Sequence, residues 1–201
     1  MQTFDGQSST RIALPAEANP ASGNAARSVL VWLKNGRAAG SHDSNSQGGL
    51  GWMYFSQGSQ GSNQLWALAA RTDLGLMLWT YGGDYNTNVF TAANGDEIFP
   101  QNEWHHIAAT WDGTDFKFYY DGVERFSATR SNGFNTDVSA TSYIGGWIDN
   151  GGSSNCAPSA DPNGHSCHFI GQGKELRIYN TALGASDLAA IMSLGGVPGS
   201  S

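Results

Sequence analysis

The sequence predicts an all-β chain, a two-sheet antiparallel sandwich with one short C-terminal helix. Three observations carry that expectation. Residues 103–129 hold two Asp-Gly dipeptides, Asp112-Gly113 and Asp121-Gly122, each between β-rich runs. Asp-Gly supplies the positive φ angles of tight hairpin turns, so the stretch reads as a three-stranded meander. Within it Phe116, Phe118 and Tyr120 alternate with Lys117 and Tyr119, the period-2 pattern of a strand with unlike faces. Finally, 27 glycines and only 13% charged residues among 201 suit many short strands and turns rather than helices, and that length fits one sandwich domain.

The remaining elements follow in order. Residues 3–4 and 11–14 read as short strands around a polar turn. Pro15, Pro20 and Gly23 make 15–23 a loop, because they prevent regular structure. The apolar, β-branched run 28–34 is a central strand, followed by a long polar segment at 35–51. Strands are expected at 52–56, 64–71 and 74–81, then a polar loop at 82–88. After the meander come a loop at 130–140, a strand at 141–147, and a Gly, Ser, Asn and Pro-rich loop at 149–167. A strand at 174–179 precedes the helix 186–194, with Ser186 as its cap and Asp187 complementing its dipole. Residues 1–194 are expected to form the domain, and 195–201 a linker or tag remnant.

Charge narrows the partners. A net charge of −7 with scattered basic residues argues against nucleic acid, whose phosphates demand a basic surface. No apolar run approaches a membrane span. Adjacent His105 and His106 would point to opposite faces of a strand, and read as packing and hydrogen-bonding residues. Cys156 and Cys167 read first as a disulfide closing a loop, second as two free thiols, and third, with His165 and His168, as zinc ligands. Trp32, Trp66, Trp104 and Trp111 lie mid-strand and read as core.

Catalytic signatures are sparse. Asp96 and Glu97 are adjacent, so they would face opposite ways on a strand rather than flank one sugar bond. No nucleophile elbow or phosphate loop appears, which leaves a polysaccharide hydrolase or lyase as the least favoured reading.

The run Glu103-Trp104-His105-His106-Ile107-Ala108-Ala109-Thr110-Trp111-Asp112-Gly113, with Phe118-Tyr119-Tyr120-Asp121-Gly122-Val123, resembles the signature of laminin-G-like, concanavalin A-like jelly-roll domains. Phe4-Asp5-Gly6 resembles the opening strand and turn of that family, and Tyr143-Ile144-Gly145-Gly146 its late glycine-bearing strand. Glu175-Leu176-Arg177-Ile178-Tyr179-Asn180-Thr181-Ala182-Leu183, then Ser186-Asp187-Leu188, resembles its closing strand and helix.

The resemblance implies a calcium-binding jelly roll, a module of secreted or cell-surface proteins with ligands at the sandwich rim or on its concave face. It places Asp5 and Glu175 in the motifs that draw on calcium, although Lys174 stands where relatives often carry an acid. Asp84 and Asp149, each beside asparagines in a polar loop, are further calcium candidates, since Ca²⁺ wants six to eight oxygens. Sugar recognition needs flat rings and fixed polar groups. Trp147, Asp149 and Asn150, with Asp84, Tyr85 and Asn86, are the candidates. The expected function is calcium-dependent or calcium-stabilised binding of carbohydrate or glycoprotein. A protein–protein adhesion domain and a structural spacer are the alternatives.

Overall fold

The computed structural model describes residues 1–6, 10–19, 21–36, 52–59, 63–71, 75–79, 86–88, 100–137, 139, 141–146 and 168–195. They form two six-stranded antiparallel sheets. The first contains β1 (Gln2–Asp5), β3 (Arg27–Asn35), β8 (Trp104–Trp111), β9 (Asp115–Tyr120), β10 (Val123–Thr129) and β12 (Ile170–Tyr179), in the order β1-β12-β3-β8-β9-β10. The second contains β2 (Ile12–Ala13), β4 (Trp52–Gln57), β5 (Trp66–Arg71), β6 (Gly75–Trp79), β7 (Asn86–Asn88) and β11 (Tyr143–Ile144), in the order β2-β11-β4-β5-β6-β7.

The core lies between the sheets because side chains alternate across each strand. Val29, Val31 and Leu33 meet Ile107, Ala109, Trp111, Phe116, Phe118 and Tyr120 from the first sheet, against Tyr54, Phe55, Trp66 and Leu68 from the second. Leu30, Ala108 and Tyr119 point the other way, where Leu188 of the helix α1 (Ala185–Leu194) covers them.

Local chemistry departs from expectation in four places. At the second Asp-Gly both residues take positive φ, 49° for Asp121 and 78° for Gly122, the mirror-image turn that fits strand twist. At the first only Gly113 does, at 106°; Asp112 instead accepts the Thr114 and Asp115 backbone N–H groups at 2.8 and 2.7 Å. The strand expected at 141–147 is cut to two residues, and Gly145 turns the chain at φ 76°. Its backbone would place a Cβ 2.2 Å from the Phe4 ring, so only glycine fits. Residues 86–88, expected in a loop, pair with β6. The helix begins one residue earlier than its expected cap: Gly184 occupies that position, and its N–H donates to Asp187 Oδ2 at 3.2 Å.

The two ends of the sandwich differ. At the arginine end Arg27 is fully buried, its guanidinium donating to the carbonyls of Ala25 (3.1 Å) and Gly23 (2.5 Å) and to Gln57 Oε1 (3.3 Å). Its charge lies 5.0 Å from the Trp66 ring centre, and Arg130 lies 4.5 Å from that of Phe134. Burial pulls the Arg27 pKa down to about 10. Asn24 ties three segments together there, accepting the Phe134 N–H and the Trp111 Nε1–H and donating to the Gly113 carbonyl. The opposite, junction end is where segments 37–51, 89–99 and 147–167 join the sandwich.

Candidate functional site

At the junction end the described residues make a floor. Gly145 N–H donates to the Tyr54 carbonyl at 2.6 Å, Phe169 N–H to the Gly145 carbonyl at 3.0 Å, and Gly6 N–H to the Phe169 carbonyl at 3.1 Å. Segment 147–167 therefore leaves at Gly146 and returns at His168 from one spot. A Cβ on Gly146 would sit 2.6 Å from the His168 ring and 3.0 Å from Arg11 Cβ, so the two ends of the segment touch through a glycine. Arg11 lies over the Tyr143 ring, 4.4 Å from its centre. Exposed Asp5 stands beside them, its Oδ1 accepting Thr10 Oγ1–H at 2.8 Å. Asn35, Gly36, Gln101 and Asn102 extend the floor: Asn102 N–H donates to the Asn35 carbonyl at 2.7 Å and Gln101 Nε2 to that of Gly36 at 3.0 Å.

The expected site residues scatter. Trp147, Asp149, Asn150, Asp84, Tyr85, Cys156 and Cys167 lie outside the described residues. Asp5 belongs to the floor from which segment 147–167 springs. Glu175 does not. Asp5 pairs with Ile170 in the strand register, so Glu175 stands five positions further along β12, on the order of 15 Å away. One ion shared by Asp5 and Glu175 is thereby corrected. Among the described residues no three acidic, histidine or cysteine groups gather around a metal-sized space. Asn86 falls on the edge strand β7, four strand steps from Tyr143, roughly 19 Å along the sheet. The loop before Asn86 and the segment after Gly146 therefore have separate anchors.

Glu175 has its own setting. It occupies a bulge between Lys174 and Arg177, with φ at 54°, a left-handed backbone rarely used by residues other than glycine. Its carboxylate lies 3.4 Å from Arg177 and 3.9 Å from Lys174. A Cβ on Gly195 would come within 2.5 Å of that carboxylate and 3.0 Å of Trp32 Nε1. The helix C-terminus thus presses on both.

His105 and His106 do point to opposite faces. His105 stacks on Tyr120 at 4.6 Å, and Trp32 meets His106 edge-on at 5.3 Å. Asp121 joins them, bonded at 2.8 Å to both His105 Nδ1 and the His106 N–H. Burial works to raise the Asp121 pKa, but these hydrogen bonds outweigh it and hold the carboxyl below its usual range. Burial lowers that of His106, partly offset by Asp121. Trp104 departs from the core reading: it is half-exposed on the outer face, with Lys174 Nζ 5.5 Å from its ring centre. Its place in the alternation, one even step from His106, puts it on the face opposite Ile107 and Trp111.

The family model for the concanavalin A-like lectin/glucanases superfamily matches residues 5–189. The chain belongs to that superfamily. Among solved structures, one similar to this lectin/glucanase-superfamily chain is domain 4 of AbnA, an extracellular GH43 arabinanase from Geobacillus stearothermophilus, in complex with arabinotriose. It is 25% identical over 94% of this chain and 74% of that one, with a TM-score of 0.63. A SAP-like pentraxin from Limulus polyphemus shares the fold at 15% identity, covering 96% and 82%, TM-score 0.57. Domains LG4-5 of the mouse laminin α1 chain do so at 15%, covering 92% and 42%, TM-score 0.56. No curated protein sequence matches the chain. Among the described residues no helix is long and apolar enough to cross a membrane.

Proposed function

We propose that the chain is a carbohydrate-binding module of a secreted protein, and that it takes short arabinose oligosaccharides at the junction end. The similarity to a domain in complex with arabinotriose, over 94% of this chain at 25% identity, carries the reading. The floor of Asp5, Arg11, Tyr143 and His168 supports it, since a stacked cation and ring beside an exposed carboxylate offer the mixed apolar and polar contacts that sugars require. Trp147 would supply a stacking ring, with Asp149 and Asn150 binding hydroxyls. Calcium belongs to the same proposal in a reduced form. Asp5 is the described donor that would hold it, Asp149 would be a second, and the remaining oxygens would come from carbonyls and water. The laminin and pentraxin likenesses, both at 15% identity, show the shared fold and say nothing of a partner.

Titration calorimetry with arabinotriose, in calcium and again in EGTA, tests both parts. Binding that Trp147→Ala removes while the melting temperature holds would support the sugar site. Absence of heat with arabinotriose and with longer arabinan fragments would overturn it. Calcium should raise the melting temperature by a few degrees at millimolar concentration. An unchanged melt, once metal analysis shows no retained ion, would remove calcium alone.

A further inference from the structure

The last turn of α1 closes over a buried histidine. On the outer face of the first sheet Trp32 pairs with His106, and the Asp121 N–H donates to the His106 carbonyl at 2.8 Å. Lys174 pairs with Trp32 on its other side. A row therefore runs from the Glu175 bulge through Trp32 and His106 to the Asp121-Gly122 turn. The helix touches both ends of this row. A Cβ on Gly195 would meet the Glu175 carboxylate at 2.5 Å and Trp32 Nε1 at 3.0 Å, and one on Gly122 would meet Met192 Cε at 3.1 Å. Met192 and Gly195 belong to one turn, closed by the Gly195 N–H donating to the Met192 carbonyl at 3.2 Å. His106 lies between the two contacts and is 3% exposed.

The closed state offers that ring no place for a second proton. His106 Nδ1 is buried and has no hydrogen-bond partner among the described residues. Both Asp121 oxygens are engaged, one by His105 Nδ1 and one by the His106 backbone N–H. On β12 the Glu175 carboxylate lies against Lys174 and Arg177. From β3 comes Trp32, edge-on at 5.3 Å, with Lys34 one even step beyond. From β9 the nearest titratable group on this face is Tyr119, whose hydroxyl donates to Glu124 at 3.3 Å. The last turn of the helix, Ile191-Met192-Ser193-Leu194, brings neither acid nor base. Burial outweighs the attraction of Asp121 and Glu175, and Arg177 adds to it, so the neutral imidazole is favoured. The cover itself is light, because Leu188 is the only buried residue of α1, and an element with so few buried contacts opens locally before the whole domain unfolds.

We infer that α1 is an acid-released latch: its last turn lifts from the sheet, the freed His106 imidazole takes up one proton from solvent, and Trp32 is uncovered. The proton holds the latch open, because the imidazolium is hydrated in the open state and meets no acceptor in the closed one. This goes beyond the sugar reading and does not depend on it.

Hydrogen exchange of the full chain tests it, read at the amides of residues 188–195 and corrected for intrinsic rates. At pH 7.5 these amides are expected to exchange faster than those of β3 and β8, the mark of a local opening. Below about pH 6.5 the opening should grow by up to tenfold per pH unit, reaching about five- to thirtyfold at pH 5. His106→Gln should hold the helix protection constant over the same range. Met192→Ala should raise helix exchange at both pH values and leave their ratio unchanged. Helix amides that exchange no faster than the core, a pH ratio of one, or the same ratio in His106→Gln would each overturn the inference. If the glutamine variant does not fold, the wild-type profile decides: a rise that starts only below about pH 4.5 belongs to a carboxyl group and overturns it equally.

Discussion

The arginine end and the junction end of this sandwich solve the same problem in different ways. Each must satisfy the backbone groups where strands stop. At the arginine end the solution is internal: Arg27, Asn24 and Arg130 bind loop carbonyls and side chains and stack on Trp66 and Phe134. At the junction end backbone-to-backbone bonds through Gly6, Gly36 and Gly145 carry the load. Polar side chains such as Asp5 stay exposed. One end buries its charged groups among core rings, and the other leaves the Asp5 carboxylate at the surface. Ligand chemistry is therefore expected at the end that faces solvent.

Substitutions can sharpen this contrast. The largest effect is expected at the arginine end. Arg27→Ala removes three hydrogen bonds and leaves their acceptors buried, costing about 3–4 kcal/mol. Thermal melts should show a fall of roughly 6–12 °C with arabinotriose affinity little changed at temperatures where the variant is folded. A loss of binding without loss of stability would invert the comparison.

Reduction is expected to cost about 2–3 kcal/mol if Cys156 and Cys167 are bridged, by freeing the unfolded chain. A melt that ignores reductant would count against the bridge. At the junction end, Gly146→Ala forces a methyl against His168 and Arg11, a strain of about 1–2 kcal/mol. It should weaken arabinotriose binding more than it lowers the melting temperature, because it displaces the base of segment 147–167. Equal binding by this variant would detach the sugar site from that segment.

Acid gives a smaller effect. The Asp121 carboxyl is held below its unfolded value, so its contribution is present above about pH 4 and fades as pH falls through the folded value. His106 is also lowered; the unfolded chain then binds the extra proton, and stability falls as pH drops below about 6.5. Both signs agree. Chemical denaturation from pH 7 to 3 should show a steady loss that Asp121→Asn flattens at the acid end; an unflattened curve would assign the loss elsewhere.

Much of the fold was legible beforehand because period-2 alternation and turn residues are local signals. The meander, the central strand at 28–34 and the closing helix all lie where alternation, β-branching and glycine placed them. Trp104 was misplaced in the core because alternation assigns a residue to a face without saying which face the helix will cover. Strand β7 was missed because Asn-Thr-Asn has a turn composition; only the neighbouring edge of β6 makes it a strand.

By itself, then, the sequence determined the all-β class, the three-stranded meander, the opposite facing of His105 and His106, and membership in a superfamily of sandwich domains. Tertiary structure alone decided which acids could meet. Asp5 and Glu175 sit in motifs that look like partners, yet the β1–β12 register fixes them five positions apart. Register is set by pairing between strands more than 160 residues apart in sequence, and no local pattern carries that information. The same non-local pairing gathered Lys34, Trp104, Gln172 and Lys174 from three strands onto one face.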